Sequence, residues 1–168
     1  MLDTDFAQTL ELFGIKGGRL LDIGTGLGTP ARCFARLGFE VTATDVSSTC
    51  VDTARITAIE AGDSGNIEFI ADNILTTVLQ GPYDLITDRG CYTLLQEKWM
   101  RERYCRSVRR LLAPAGWLLI KVDAGECDTI IRPLETSFRI LQSCSSSYSM
   151  EQSPKAHFFV MRQGKCRT

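Results

Sequence analysis

Residues 20–30, LLDIGTGLGTP, join a short apolar run to a loop with glycine at positions 24, 26 and 28. An apolar run of this length stopped by glycine suits a strand buried on both faces. Strands of that kind belong to parallel sheets covered by helices on both sides.

The rest of the chain repeats the alternation. DFAQTLELF at 5–13 has apolar residues at helical spacing, RLLDIG at 19–24 is the first strand, and TPARCFARL at 29–37 is a helix. Thr29 is expected to cap that helix and Pro30 to fit its first turn. FEVTATD at 39–45 is β-branched and strand-like, a helix over 47–62 ends in Gly62, and NIEFI at 66–70 is the third strand. YDLITD at 83–88, an amphipathic helix over 98–113, a Pro-Ala-Gly stop at 114–116 and WLLIKVD at 117–123 follow. After a helical stretch near 128–137, FRILQSCSSSYSM and AHFFVMRQ read as two strands joined by a polar hairpin. The pattern predicts an α/β, Rossmann-like fold: a seven-stranded, mostly parallel sheet, helices on both faces, and an antiparallel C-terminal strand pair.

Length and composition fit this. A chain of 168 residues suits a single domain with one core. It divides into a short helical segment at 1–18, a ligand-binding core at 19–123 and a C-terminal helix and hairpin at 124–168. Nineteen basic against twenty acidic residues leave no electrostatic footprint for nucleic acid or an anionic membrane. The arginines at 101, 103, 106, 109 and 110 read as a solvated helix face. Seven cysteines, widely spaced and without a CxxC pair, argue against a metal site or a redox dithiol. They suit a reduced, cytoplasmic protein. No basic-then-apolar leader opens the chain, and no apolar run is long enough to span a bilayer.

In open α/β sheets, ligands bind beyond the carboxyl ends of the strands, where the strand order reverses. The Gly24–Gly28 loop ends the first strand there, with Asp22 just before it. A dinucleotide fingerprint needs a small residue where Thr29 stands, and a P-loop needs a lysine that is absent. Asp45 ends the second strand, where its carboxylate can take both hydroxyls of a ribose. Capping the following helix is its alternative role. Asp72 follows the third strand, placed to accept from an exocyclic amine such as that of adenine, with Ile74 able to cover the ring. A surface turn is the alternative. Three consecutive strand ends would thus converge on one nucleoside.

With these residues in view, LLDIGTGLGTPARCFARLGFEVTATDVS resembles the first motif and acidic loop of class I S-adenosylmethionine-dependent methyltransferases. YDLITDRGCYTLL and RRLLAPAGWLLIKV resemble the small-molecule methyltransferases of the thiopurine and tellurite-resistance type. The resemblance covers roughly residues 15–123. It implies S-adenosylmethionine as the methyl donor and S-adenosylhomocysteine as the product. It also implies that Gly24, Gly26 and Gly28, with Asp22, wrap the methionine part of the cofactor. Asp45 would hold the ribose hydroxyls, with Val46 beside the adenine, Asp72 and Asn73 would meet the adenine edge, and Ile74 would pack on it. Asp88 and Arg89 would lie beside the methionine moiety and the methyl group, with Cys91 and Tyr92 at the substrate mouth.

Methyl transfer from a sulfonium is an in-line displacement, so the protein mainly aligns the nucleophile. A general base is needed only where the acceptor must lose a proton. Asp88 and Tyr92 are the candidates for polar contact with substrate. A structural carboxylate and a core aromatic are the alternatives. Arg89 pairs either with an anion of the ligand or within the fold. Cys91 reads as packing, and His157 as a sheet residue away from the rim.

Relatives of this type usually carry a longer segment before the first strand. The short one here implies an open substrate site, one completed by a second copy in a homodimer, or a chain that binds cofactor without efficient turnover. A small molecule is the expected partner. A protein substrate, which an open site would admit, and a non-catalytic cofactor-binding module are the alternatives.

Overall fold

The computed structural model describes residues 2–123, 127–148 and 155–164. Its elements are α1 (Thr4–Leu12), β1 (Gly18–Ile23), α2 (Thr29–Arg36), β2 (Phe39–Asp45), α3 (Ser48–Glu60), β3 (Ile67–Ala71), β4 (Tyr83–Arg89), α4 (Lys98–Leu111), β5 (Leu112–Asp123), α5 (Cys127–Ser137), β6 (Phe138–Ser147) and β7 (Lys155–Gln163). The seven strands form one sheet in the order β3-β2-β1-β4-β5-β7-β6. β1 to β5 are parallel, and β7 is antiparallel to both β5 and β6. Two reversals restore direction, so the outermost strand, β6, runs with the parallel strands. The order reverses between β1 and β4, which opens a crevice at their carboxyl ends.

Both faces of the sheet are covered. Phe6 and Leu10 of α1, Ala31 and Phe34 of α2 and Val51, Ala54 and Ala58 of α3 pack with Leu20, Val41, Leu85 and Leu119 on one side. Tyr104, Val108 and Leu111 of α4 and Ile130, Ile131 and Leu134 of α5 pack with Leu21, Ile86, Leu118 and Ile120 on the other. Neighbours along a strand divide between the faces, Leu20 to one and Leu21 to the other, as the two-residue period of a strand requires.

Several local details differ from the sequence reading. Thr29 is the first helical residue of α2, and Gly28, in a left-handed conformation with φ of 76°, is the N-cap. No side chain caps this end, and its N–H groups stay near the strand ends. The Pro-Ala-Gly segment lies inside β5, which starts at Leu112, and a break in the β4–β5 register between Tyr83 and Leu85 accommodates it. A coil, not a helix, carries the chain from β3 to β4. It is fastened by α4: the Arg103 guanidinium donates to the Leu75 carbonyl, and that of Arg110 to Leu79 at 2.7 Å and Thr77 at 3.1 Å. These members of the arginine cluster therefore clamp a loop instead of facing water alone. His157, at the start of antiparallel β7, pairs in register with Val122 and so lies at the rim end of the sheet. Most of the expected polar hairpin, and Cys166, fall outside the described residues. The described helices include none long and apolar enough to cross a membrane.

α1 is joined to the sheet chiefly by Phe6, which is fully buried against Phe34 and Phe158. Phe6→Ala is expected to cost about 3–5 kcal/mol of unfolding free energy, read as a lowered urea midpoint. A loss below about 1 kcal/mol would show that α1 is not part of the cooperative core.

Candidate active site at the carboxyl ends of the strands

A cavity of about 370 Å³ lies at the switch point. Its wall includes Gly24 after β1, Asp45 and Val46 after β2, Asp72 and Ile74 after β3, and Arg89, Gly90 and Cys91 after β4. Leu94, Asp123 and Tyr148 complete the far side. The mouth is open: Val46 is 72% exposed and Leu94 77%.

The glycine loop is shaped by close approach. A Cβ on Gly24 would stand 2.7 Å from the Cβ of Cys91, so the loops after β1 and β4 can meet only because residue 24 lacks one. A Cβ on Gly28 would stand 2.9 Å from both Ala54 and Phe69, so this glycine brings α2 down onto α3 and β3. The middle glycine serves through its backbone, since the Gly26 N–H donates to Asp45 Oδ2 at 2.9 Å.

Asp45 is held from two sides. Its Oδ1 accepts from the Ser47 N–H at 3.0 Å, which aims the carboxylate while leaving further lone pairs on both oxygens. The alternative role, capping α3, falls to Ser47, whose hydroxyl accepts from the Cys50 N–H at 3.2 Å. Asp72 Oδ2 is buried without a hydrogen-bond partner, a costly state that a ligand donor would relieve. Ile74 is buried beside it. Asn73 is not on the wall: its side-chain oxygen accepts from the Leu75 N–H at 2.9 Å and shapes the turn. Asp22 also lies behind the wall. It accepts from the Thr87 hydroxyl at 2.8 Å, and burial pushes its carboxyl up to about 6 against that donor.

Asp88 and Tyr92 do not take the substrate-facing role expected of them. Both are fully buried and neither reaches the cavity. Asp88 accepts from the Cys91 N–H at 2.8 Å, from the Tyr92 N–H at 3.1 Å and from the Tyr104 hydroxyl at 2.7 Å. Burial pushes its carboxyl up to about 7 against these donors. The Tyr92 hydroxyl donates to the Ile130 carbonyl at 2.8 Å. Asp88 therefore shapes the turn after β4, and Tyr92 is a core aromatic with a satisfied hydroxyl. Burial and nearby carboxylates raise the Cys91 thiol well above its usual range, which fits its packing role.

Arg89 lines the cavity but is engaged within the fold. Its Nε donates to Asp3 Oδ2 at 2.9 Å, and a terminal nitrogen donates to the Tyr148 carbonyl. Lys121, only 1% exposed, donates to both Asp3 oxygens at 2.8 Å and lies 2.7 Å from Asp5. Asp3, Asp123 and Tyr148 join this side of the cavity through the tertiary fold. Asp123 carried a usable signal, because it ends a parallel strand as Asp45 and Asp88 do. Asp3 and Tyr148 carried none, since only the sheet order brings α1 and β6 to this rim.

Strand order, the glycine loop, the aimed Asp45 and the unpartnered Asp72 define a Rossmann-like domain of the class I S-adenosylmethionine-dependent methyltransferase type. Residues 3–163 match the model of a methyltransferase domain family, and the chain belongs to that family. It is 29% identical over 109 residues to a ubiquinone biosynthesis O-methyltransferase of Bordetella avium, covering 64% of this chain and 44% of that protein. A protein of the same description from Paraburkholderia xenovorans is 30% identical over 104 residues, covering 62% and 44%. The chain thus spans less than half the length of these curated relatives. Among solved structures, the N-methyltransferase NodS of Bradyrhizobium japonicum with S-adenosylhomocysteine superposes with a TM-score of 0.80 at 17% identity, covering 96% of this chain and 85% of that one. A TehB-like methyltransferase of Corynebacterium glutamicum superposes with a TM-score of 0.76 at 18% identity, covering 94% and 86%. These two share the fold.

The two raised carboxyls set a pH dependence. A carboxyl whose folded pKa lies above its unfolded value of about 3.9 favours folding below that value, and this contribution is lost as pH rises through the folded pKa. With Asp22 at about 6 and Asp88 at about 7, their stabilising contribution should fall between about pH 4 and pH 7. Asp88→Asn should flatten that slope in urea melts taken at successive pH values. An unchanged slope would refute the assignment. Asp88→Ala strands three donors in the core and should cost about 3–5 kcal/mol.

Proposed function

We propose that this chain binds S-adenosylmethionine and transfers its methyl group to a small-molecule nucleophile. The observation that carries the reading is the aimed Asp45 carboxylate beside the unpartnered Asp72 oxygen on one cavity wall. That pair fits a ribose and an amino-substituted base. In this reading Asp45 accepts from the ribose hydroxyls, Asp72 accepts from the adenine amine, and Ile74 and Val46 pack against the base. The Gly24–Gly28 loop admits the methionine part against its backbone. The cofactor, when bound, supplies a methyl group already activated by the sulfonium charge.

The relatives named as ubiquinone biosynthesis O-methyltransferases support a small acceptor. What remains for the protein is alignment, by walls that hold acceptor and donor in line.

Isothermal titration should show binding of S-adenosylmethionine and S-adenosylhomocysteine and none of NAD. Asp45→Ala should weaken S-adenosylhomocysteine binding by about 1–3 kcal/mol, because two charge-assisted hydrogen bonds are lost. An affinity equal to that of the unmodified chain would remove the ribose role. Heat from NAD alone would overturn the reading.

A further inference from the structure

Once Asp45 and Asp72 are assigned to the nucleoside, one carboxylate on the cavity wall has no role. Asp123 ends β5 and lines the cavity together with Tyr148 and Leu94. Three elements meet there. The Tyr148 hydroxyl, just past the end of β6, donates to the Lys121 carbonyl at 3.4 Å and lies beside the Asp123 carboxylate. Thr93, in the turn after β4, accepts from the Asp123 N–H at 3.2 Å, and its hydroxyl lies beside that of Tyr148. Burial and Asp123 together raise the Tyr148 phenol well above its usual range, so it remains a neutral hydroxyl beside the carboxylate.

The charges around the cavity point the same way. Among the described residues, its acidic wall residues are Asp45, Asp72 and Asp123, and its cationic one is Arg89. Arg89 is neutralised by Asp3, and the neighbouring Lys121 by Asp3 and Asp5. Among the described residues no cation pairs with Asp123. An anionic acceptor, such as a thiolate or an oxyanion, would enter against these carboxylates, and the described residues offer it no unengaged cation on the wall. A neutral acceptor with an O–H or N–H group would meet an oriented acceptor of its proton.

Resting on the methyltransferase reading above, we propose that the acceptor is a neutral hydroxyl or amine compound and that Asp123 is the catalytic residue that takes its proton. Tyr148 is a positioning residue that acts through Asp123. In the step, a lone pair of the acceptor oxygen or nitrogen forms the new bond to the methyl carbon. The electron pair of the breaking C–S bond stays on sulfur, which becomes a neutral thioether. The acceptor proton passes to the Asp123 carboxylate and from there to solvent at the open mouth. Charge balances, since the positive charge of the sulfonium leaves as the proton. A thiolate or oxyanion would need no such base.

The test compares the unmodified chain with Asp123→Asn and Tyr148→Phe. Three readouts are used: S-adenosylhomocysteine affinity, binding of phenol and benzylamine to the S-adenosylhomocysteine-saturated protein, and methyl transfer to phenol, benzylamine, thiophenol and selenite. Asp123→Asn should keep S-adenosylhomocysteine affinity within about twofold, weaken phenol or benzylamine binding at least about fivefold, and lower kcat for them by on the order of 10²–10⁴-fold. The acid limb of its kcat profile should disappear. Tyr148→Phe should lower kcat about tenfold and keep that limb. Faster transfer to thiophenol or selenite than to either protic acceptor would overturn the proposal, as would an Asp123→Asn enzyme with undiminished kcat and acceptor binding. Cofactor binding with no transfer to phenol or benzylamine would overturn it and leave the cofactor reading standing. Failure to bind S-adenosylhomocysteine would overturn both.

Discussion

The site depends on the buried carboxyl group of Asp88. It collects the N–H groups of Cys91 and Tyr92 and the hydroxyl of Tyr104 inside the core. Those donors turn the chain sharply after β4 and tie the turn to α4. The turn presses Cys91 against Gly24, so the loops after β1 and β4 become one wall. Remove the carboxyl and the loops on either side of the switch point lose their common anchor. A fully buried acid is costly, which is why burial raises its pKa so far. The three donors offset part of that cost and fix the geometry in return.

A second set of charges closes the other side. Lys121 on β5 is buried under the N-terminal residues Asp3 and Asp5, and Arg89 on β4 shares Asp3. The Ser147 carbonyl accepts from Lys121 at 2.9 Å, and that of Tyr148 accepts from Arg89. The start of α1 and the end of β6 are thereby joined to the two central strands. The ring of Tyr148 lies beside both cations, its centroid 5.3 Å from the Arg89 guanidinium and 6.0 Å from Lys121. Among the described residues, the same cluster engages the cations at the cavity wall.

Much of this was legible in the residues. Glycine at alternate positions after an apolar run, and aspartates at the ends of the next two strands, mark residues that the fold brings to one cavity wall. That reasoning works because a parallel strand's last residue must lie at the rim, whatever the side chain does. It was less reliable at Asp88, where rim position was taken to mean exposure to ligand. Asp88 ends the same kind of strand as Asp45, yet its carboxyl turns inward to Tyr104, a partner sixteen residues away on α4. Nothing local to YDLITDRGCY distinguishes the two directions. Thr29 shows a similar limit: its cap position passed to Gly28, since the loop needed a left-handed residue there.

By itself the sequence determined the alternation of strands and helices, the parallel sheet and the glycine loop beside Asp45 and Asp72. The alternation is a property of local periodicity, and the shared rim follows from where each parallel strand ends. Tertiary structure alone decided which side chains face the cavity. It reversed β7 between β5 and β6, bringing Tyr148 to the rim beside Asp123, and it laid α1 over Lys121. Those choices depend on burying two apolar faces at once and on pairing charges such as Lys121 that are taken out of water. Such constraints act between residues far apart in the chain, where no local pattern records them.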